Sequence, residues 1–402
     1  MDYYSRHIEA ALRRAVESFP VVLLTGPRQV GKTTLLEHLR EEGRRYVTLD
    51  DIVVRSQARE DPALFIRQYP PPVLIDEIQY APDLLSYVKM EVDRRKQNNL
   101  YWLTGSQQFH LMANVTESLA GRVAIVNLLG MSWREKEKLP GPDAPALLDA
   151  AGPTGAAVRQ GTPEELFGTI WQGGFPALVS GVSGDWELYY RSYLQTYVQR
   201  DVRDLKNIGD LEQFTRFLRS CAARTSQVLN LSDLADDVDV SVKTIKSWLS
   251  VLEASYQIYI LRPHFDNRLK RLIKAPKLYF LDTGFCCYLT GWLQPEALQH
   301  GAMAGPMFET FVIGELLKRY WNHLKEAPLR YYRDREKREI DLLVETEREI
   351  YPIEVKLGAT PRSEWIDAFG CIRGYARGGV VCQADSIREI RNRVHVLPWT
   401  VL

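Results

Sequence analysis

Residues Gly26-Pro27-Arg28-Gln29-Val30-Gly31-Lys32-Thr33-Thr34 fit the pattern G-x-x-x-x-G-K-[ST] at every fixed position. That spacing suits one kind of chemistry. Glycines let the backbone wrap so that successive N–H groups point at phosphate oxygens, and a helix that follows adds the positive end of its dipole. All nine residues are therefore expected to bind nucleotide. Lys32 is long enough to reach the β- and γ-phosphates, and the Thr33 hydroxyl is suited to ligate Mg²⁺. A second set follows in Pro72-Val73-Leu74-Ile75-Asp76-Glu77, an apolar run that ends in two carboxylates. Asp76 is expected to hold Mg²⁺ through water, and Glu77 to polarise an attacking water as a general base. ATP and Mg²⁺ are the cofactors this pair of motifs predicts, with Lys32 and Glu77 catalytic.

Strands must position these groups. Val21-Val22-Leu23-Leu24-Thr25 is apolar without alternation, as a strand buried on both faces reads. The run before Asp76 has the same character, and so has Leu100-Tyr101-Trp102-Leu103, which ends in Thr104, Gly105 and Ser106. Tyr46 to Leu49 supplies a further strand and closes on Asp50 and Asp51. An α/β domain with a parallel sheet follows.

Taken together, Gly26 to Thr33, Leu74 to Glu77, Leu103 to Ser106 and Ser118-Leu-Ala-Gly121-Arg122 resemble the AAA+ ATPases of a large bacterial and archaeal family. The resemblance extends to Gly173-Gly-Phe-Pro176 and to Tyr193 through Asp201. It implies a P-loop NTPase sheet and a polar residue, Ser106 or Thr104, that contacts the γ-phosphate or the lytic water. It also implies a γ-phosphate-sensing role for Arg122, either in cis or from a neighbouring subunit, and the second case requires a homo-oligomer. The bland alternatives are local capping by Thr104 or Ser106 and an exposed Arg at a helix end.

The domain organisation expected is an ATPase region over 1–205, a second region over 206–290 and a third over 300–402. Within the first, residues 137–163 are rich in Pro, Gly and Ala and read as a mobile surface excursion. Tyr189, Tyr190, Tyr193 and Tyr197 lie at helical spacing and read as packing.

Residues 229–253 have the grammar of a helix-turn-helix, with Ser232 and Ser241 as caps. Val242, Ile245, Leu249 and Leu252 are assigned to its inner face, and Lys243, Thr244 and Lys246 to the outer one. Two strands, over 256–261 and 277–281, then bracket a loop that carries Arg268, Lys270 and Arg271, giving a winged helix that could contact DNA phosphates. The other reading is a scaffold or protein-binding module, because Asp236, Asp237 and Asp239 would repel DNA.

Farther on, Asp341…Glu354-x-Lys356 resembles the PD-(D/E)XK nuclease fold, with Glu309 in the position of the helix acid. Strand alternation puts Glu354 and Lys356 on one face, and Asp341 would complete a two-carboxylate Mg²⁺ site. The residue pair before Asp341 is Glu339-Ile340 where the named motif has Pro, so either a nuclease or a non-cleaving copy of the fold is expected.

Composition sets limits. Lys plus Arg equals Asp plus Glu at 51 each, so any attraction for nucleic acid must come from a local patch. No apolar run reaches membrane-span length, and the five cysteines show neither metal nor disulfide spacing, which reads as cytoplasmic. The function expected is an ATP-hydrolysing protein that acts on nucleic acid through its two later regions. The alternative is a regulatory NTPase switch whose C-terminal region only binds a protein partner. No membrane partner is expected.

Overall fold

The computed structural model describes residues 3–105, 115, 118–150, 158–197, 210–264, 275–347, 349–372, 374–391 and 393–402. Its first sheet is five-stranded. It contains β1 (Val21–Thr25), β2 (Arg45–Thr48), β3 (Val73–Asp76), β4 (Tyr101–Gly105) and β5 (Val123–Asn127) in the order β2-β3-β4-β1-β5. Every pairing is parallel, so all five carboxyl ends open on one edge. β4 lies between β3 and β1, with Leu103 opposite Ile75 on one side and Leu23 on the other. β1 explains its own unalternating sequence. Val22 and Leu24 pack into one apolar cluster, while Val21 and Leu23 pack into a second on the opposite face.

Helix Lys32–Leu39 leaves β1 through Gly31, whose φ of 88° is a left-handed conformation favoured for glycine. Asp51 is a helix cap: its carboxylate accepts from the Val53 and Val54 amides at the start of helix Ile52–Glu60.

The middle of the chain is helical. Helices Leu231–Val238 and Val242–Ala254 are joined by a turn in which Asp239 takes a φ of 56°. Two expectations are corrected here. Asn230, not Ser232, caps the first helix, because its side chain sits one residue before helical geometry begins. Val242 is 37% exposed and Trp248 takes its inward place, since the buried stripe runs Ile245, Trp248, Leu249, Leu252. Ser241 does cap, accepting from the Thr244 amide at 3.1 Å. An antiparallel pair, β6 (Ile258–Leu261) and β7 (Lys277–Phe280), follows.

The last module opens with helix Ala304–Asn322 and builds a six-stranded sheet. Its strands are β8 (Leu329–Arg333), β9 (Glu339–Glu345), β10 (Ile350–Val355), β11 (Gly378–Cys382), β12 (Arg388–Ile390) and β13 (Val394–Pro398), in the order β12-β13-β11-β10-β9-β8. β8, β9 and β10 form an antiparallel meander, and β11 runs parallel to β10 after a helical crossover at Ser363–Cys371.

These parts share one apolar core. Leu24, Trp133, Tyr190, Phe217, Phe311 and Trp399 all belong to a single cluster of buried side chains. The seam between the first sheet and the last module is also polar. Buried Glu315 accepts from the Trp133 amide at 2.9 Å, and Lys318 Nζ donates to the Met131 carbonyl at 3.0 Å.

The reading of 137–163 as a mobile excursion is corrected for its described part. Leu147 and Leu148 are buried, the Ala144 carbonyl accepts from Arg319 Nε at 2.9 Å, and the Arg159 carbonyl accepts from the Thr400 hydroxyl at 2.6 Å. Composition hid this because the apolar partners that order the segment come from the end of the chain. Among the described residues, no helix is long and apolar enough to cross a membrane.

Candidate active site

Three carboxyl strand ends bring the first constellation together. Thr33 Oγ1 donates to Asp76 Oδ1 at 2.9 Å, and the Thr104 hydroxyl donates to the same oxygen. The Tyr46 hydroxyl donates to Asp76 Oδ2 at 3.1 Å. Asp76 is thus a buried carboxylate that collects hydroxyl donors from three other elements. The Glu77 amide donates to Thr104 Oγ1 at 3.0 Å, which turns the chain so that Glu77 adopts a left-handed φ of 58°. Gln79 Nε2 donates to the Glu77 carboxylate. A non-glycine residue at such a φ is strained, and here the strain sits beside the phosphate loop.

Lys32 is buried and folds back so that Nζ donates to the Gly26 carbonyl at 3.0 Å and the Pro27 carbonyl at 2.7 Å. The first turn of its helix has no side-chain cap, as an anion-receiving helix start requires. Gly26 allows a close approach: a Cβ there would overlap the Leu128 carbonyl oxygen, whose own amide donates to the Thr25 carbonyl at 2.8 Å. Gly26→Ala is therefore expected to displace the loop and weaken ATP binding by about tenfold or more, read by calorimetric titration.

Some of the surroundings were not legible in the sequence. Arg6 braces the loop from the N-terminal segment, donating to the Val30 carbonyl at 3.0 Å and the Leu129 carbonyl at 2.8 Å. Beside it opens a cavity of about 1030 Å³ walled by Tyr4, Arg6, Arg13, Glu135, Pro140 and His323, none of which belongs to the loop itself. The Tyr189 hydroxyl donates to Gln29 Oε1 at 2.7 Å, so the aromatic stripe reaches the loop as well as the core. Tyr256, two residues beyond helix Val242–Ala254, donates to Asn127 Oδ1 at 2.7 Å, at the carboxyl end of β5. The segment that carries Pro176 is held by Asp282, which accepts from the Gly174 amide at 2.7 Å and the Tyr190 hydroxyl at 2.8 Å. The tyrosine spacing reads as packing alone, and none of these contacts has a local signal in the sequence.

Two candidates stand apart. Ser106 lies outside the described residues, which leaves Thr104 as the described polar group at that strand end. Arg122 sits at the amino end of β5, where its carbonyl accepts from the Val21 amide at 3.2 Å. A five-residue strand of roughly 16 Å separates that edge from the phosphate loop. Arg122 instead pairs with Asp93 at 2.6 Å. The cis reading is corrected by this geometry: Arg122 is at the wrong end of the sheet.

The second constellation gathers on the C-terminal sheet. Asp341 on β9 and Glu354 on β10 are both buried. Lys356 Nζ lies 2.5 Å from Glu354 Oε1 and 3.3 Å from Asp341 Oδ2, and the Val355 amide donates to Asp341 Oδ2 at 3.0 Å. Burial and then the Asp341 charge raise the carboxyls of Glu309 and Glu354 above the ordinary range. Glu309 does not stand as a free helix acid. It accepts from Lys277 Nζ at 3.0 Å and from the Tyr279 hydroxyl.

Lys277 comes from β7 and also lies 2.6 Å from Glu339 Oε1. Burial lowers its pKa, but the carboxylates of Glu309, Asp341 and Glu339 outweigh burial and raise it overall. Among the described residues, no group of three His, Cys, Asp or Glu side chains is arranged to hold a metal ion. Lys356 Nζ pairs with both carboxylates of the expected Mg²⁺ pair, Asp341 and Glu354.

Of the DNA-contact candidates, Lys243 and Lys246 are exposed and Thr244 is half-buried, while Arg268, Lys270 and Arg271 lie outside the described residues.

Residues 18–137 match the AAA domain family, and the sheet order, phosphate loop and Asp76–Glu77 strand end belong to that same region. The class so defined, for residues 18–137, is an AAA domain with a P-loop nucleotide site. Residues 163–296 and 304–402 match two families described as domains of unknown function, DUF8612 and DUF4143. Uncharacterized proteins of Mycobacterium tuberculosis (Rv2008c) and Mycobacterium bovis (Mb2031c) are each 30% identical over 358 residues, 89% of this chain and 74% of theirs. The chain belongs to the family of these mycobacterial proteins. Among solved structures, a Walker-type ATPase of Pyrococcus abyssi is similar at 17% identity and a TM-score of 0.46, over 72% of this chain and 96% of that one. A Thermotoga maritima RuvB variant is similar at 16% identity and a TM-score of 0.31, over 63% and 88%.

Proposed function

We propose that the chain hydrolyses ATP with Mg²⁺ at the Gly26–Thr34 loop and couples the cycle to action on nucleic acid through its helix-turn-helix. The observation that carries the reading is the meeting of the Thr33 and Thr104 hydroxyls on one buried Asp76 oxygen, with the Glu77 amide donating to Thr104. Mg²⁺, when bound, supplies charge neutralisation for the transferred phosphoryl group. The residues fit it: Thr33 and Asp76 are the oxygen ligands on hand, directly or through water. Lys32 exchanges its two main-chain carbonyls for phosphate oxygens, Thr104 fixes the Glu77 backbone, and Glu77 accepts the proton of the attacking water.

Coupling runs along the Gly173–Pro176 segment, which is tied to Met131, just beyond β5, through the Gly174 carbonyl and to Asp282 through the Gly174 amide. Nucleic acid is favoured by exposed Lys243 and Lys246, and Asp237, one of the three repelling acids, is neutralised by Arg224 at 2.6 Å. A third observation favours a second reading, a regulatory switch with a non-cleaving C-terminal module: the helix acid Glu309 is already paired with Lys277.

The test is steady-state ATP hydrolysis with and without double- and single-stranded DNA. Lys32→Ala should abolish the activity, a fall of about 10²-fold or more. Stimulation by DNA supports the first reading, and indifference to DNA transfers support to the switch. A wild-type protein with no hydrolysis above the Lys32→Ala level sinks both.

A further inference from the structure

Mg²⁺ sites that are completed by substrate phosphates draw on only one or two carboxylates, so the orientation of each one counts. Asp76 is buried, and its two oxygens are held by different elements. Oδ1 accepts from the Thr33 hydroxyl at 2.9 Å and from the Thr104 hydroxyl. Oδ2 accepts from the Tyr46 hydroxyl at 3.1 Å, the one hydrogen bond to that oxygen among the described residues. Thr33 follows the phosphate loop and Thr104 ends β4, but Tyr46 comes from β2, the edge strand of the sheet.

The sheet explains how a phenol gets there. In the parallel β2–β3 register Tyr46 lies beside Leu74 and Thr48 beside Asp76, so Tyr46 and Asp76 are diagonal neighbours on one face. With strands about 4.8 Å apart and a rise of about 3.3 Å per residue, that diagonal is roughly 8 Å. A tyrosine spans it and a threonine does not. Thr48, directly opposite Asp76, accepts from the Asp50 amide at 3.1 Å. The half-buried Tyr46 ring packs against the cluster that contains Leu36 and Leu74, which seats the phenol. The terminal torsion of a carboxylate is broad and two-fold, so hydrogen bonds and not a rotamer well fix its plane. Bonds at Oδ1 alone would leave Asp76 free to swing about that oxygen. The Tyr46 bond removes the freedom.

We propose that Tyr46 is a positioning residue for the divalent ion of the nucleotide site: its hydroxyl pins Asp76 Oδ2 so that Oδ1 stays turned to Thr33. The inference rests on the assignment of Thr33 and Asp76 as the oxygen ligands of that ion. Among the described residues Tyr46 makes no hydrogen bond to the phosphate loop, so its loss acts on the metal and not on the nucleotide. Partners that orient a metal's ligands are worth about 10- to 100-fold in metal affinity. Tyr46→Phe keeps the ring in its apolar seat and removes only the donor.

The experiment uses the full-length protein, in excess over a non-hydrolysable ATP analogue, with Mn²⁺ as the probe. Calorimetry in EDTA gives the affinity for the analogue alone, and electron paramagnetic resonance gives the Mn²⁺ affinity of the complex. Tyr46→Phe should bind the analogue in EDTA as wild type does, within about twofold, and lose about tenfold in Mn²⁺ affinity. A fall in both affinities by the same factor makes Tyr46 a structural residue and overturns the proposal. Asp76→Asn separates the two levels of the argument. If Asp76→Asn loses Mn²⁺ and Tyr46→Phe does not, the proposal fails and the metal assignment stands. If Asp76→Asn binds Mn²⁺ as wild type does, the metal assignment fails and the proposal with it. Tyr46→Leu is the second variant, should Phe not fold. A chain that folds with neither also makes Tyr46 structural and overturns the proposal.

Discussion

Glu77→Gln is expected to keep ATP bound and stop its turnover, with steady-state hydrolysis falling about 10²- to 10⁴-fold, the range for loss of a general base. The exchange removes a charge but almost no volume. The Glu77 amide keeps its bond to Thr104, and the Gln side chain keeps an oxygen for the Gln79 amide that Glu77 accepts from. Thr33, Asp76 and the loop glycines are untouched, so the phosphate cradle persists. A coupled-enzyme assay gives the rate and calorimetry gives the binding. Wild-type turnover in this variant would remove Glu77 from the chemistry, and lost binding would make it a structural residue.

Asp282→Ala should lower the stability of the whole chain by about 3 kcal/mol, because charge-assisted bonds are the strong ones and their donors are left buried. Asp282 accepts three: the Gly174 amide at 2.7 Å, the Tyr190 hydroxyl at 2.8 Å and the Phe285 amide at 2.7 Å. Tyr190 is fully enclosed, and burial with the Asp282 charge raises its hydroxyl far above the ordinary range, so it can act only as a neutral donor. Urea denaturation reads the loss as a shift in midpoint at constant slope. Because the same segment is tied through the Gly174 carbonyl to Met131, just beyond β5, ATP affinity should fall with stability. An unchanged midpoint would show that the segment is held by apolar packing alone.

Legibility followed sequence distance. The phosphate loop, the Asp76–Glu77 strand end and the unalternating β1 were readable because each is a local pattern whose physics fits within a few residues. Ser241 was readable as a cap for the same reason. Asp282, Tyr256 and Arg6 were not, since each meets its partner more than twenty residues away. Lys277 looked like the first residue of an ordinary strand; only the fold shows that its ammonium neutralises acids from another module. Arg122 stayed open between cis and trans because a sequence does not say at which edge of a parallel sheet a residue will emerge. Val242 was misplaced by a single helical position, where periodicity is weakest near the first turn.

The polar seam at Glu315 and Trp133 also governs how motion can pass through the molecule. Side chains from the first sheet, the helical middle and the last module interlock in one close-packed cluster. Close-packed interiors are stiff and repack between discrete arrangements. Displacement across this seam therefore takes the form of shear, with packed elements sliding by short steps, and not of a wide swing about a joint. A nucleotide-driven rearrangement here would be small in amplitude and felt almost everywhere.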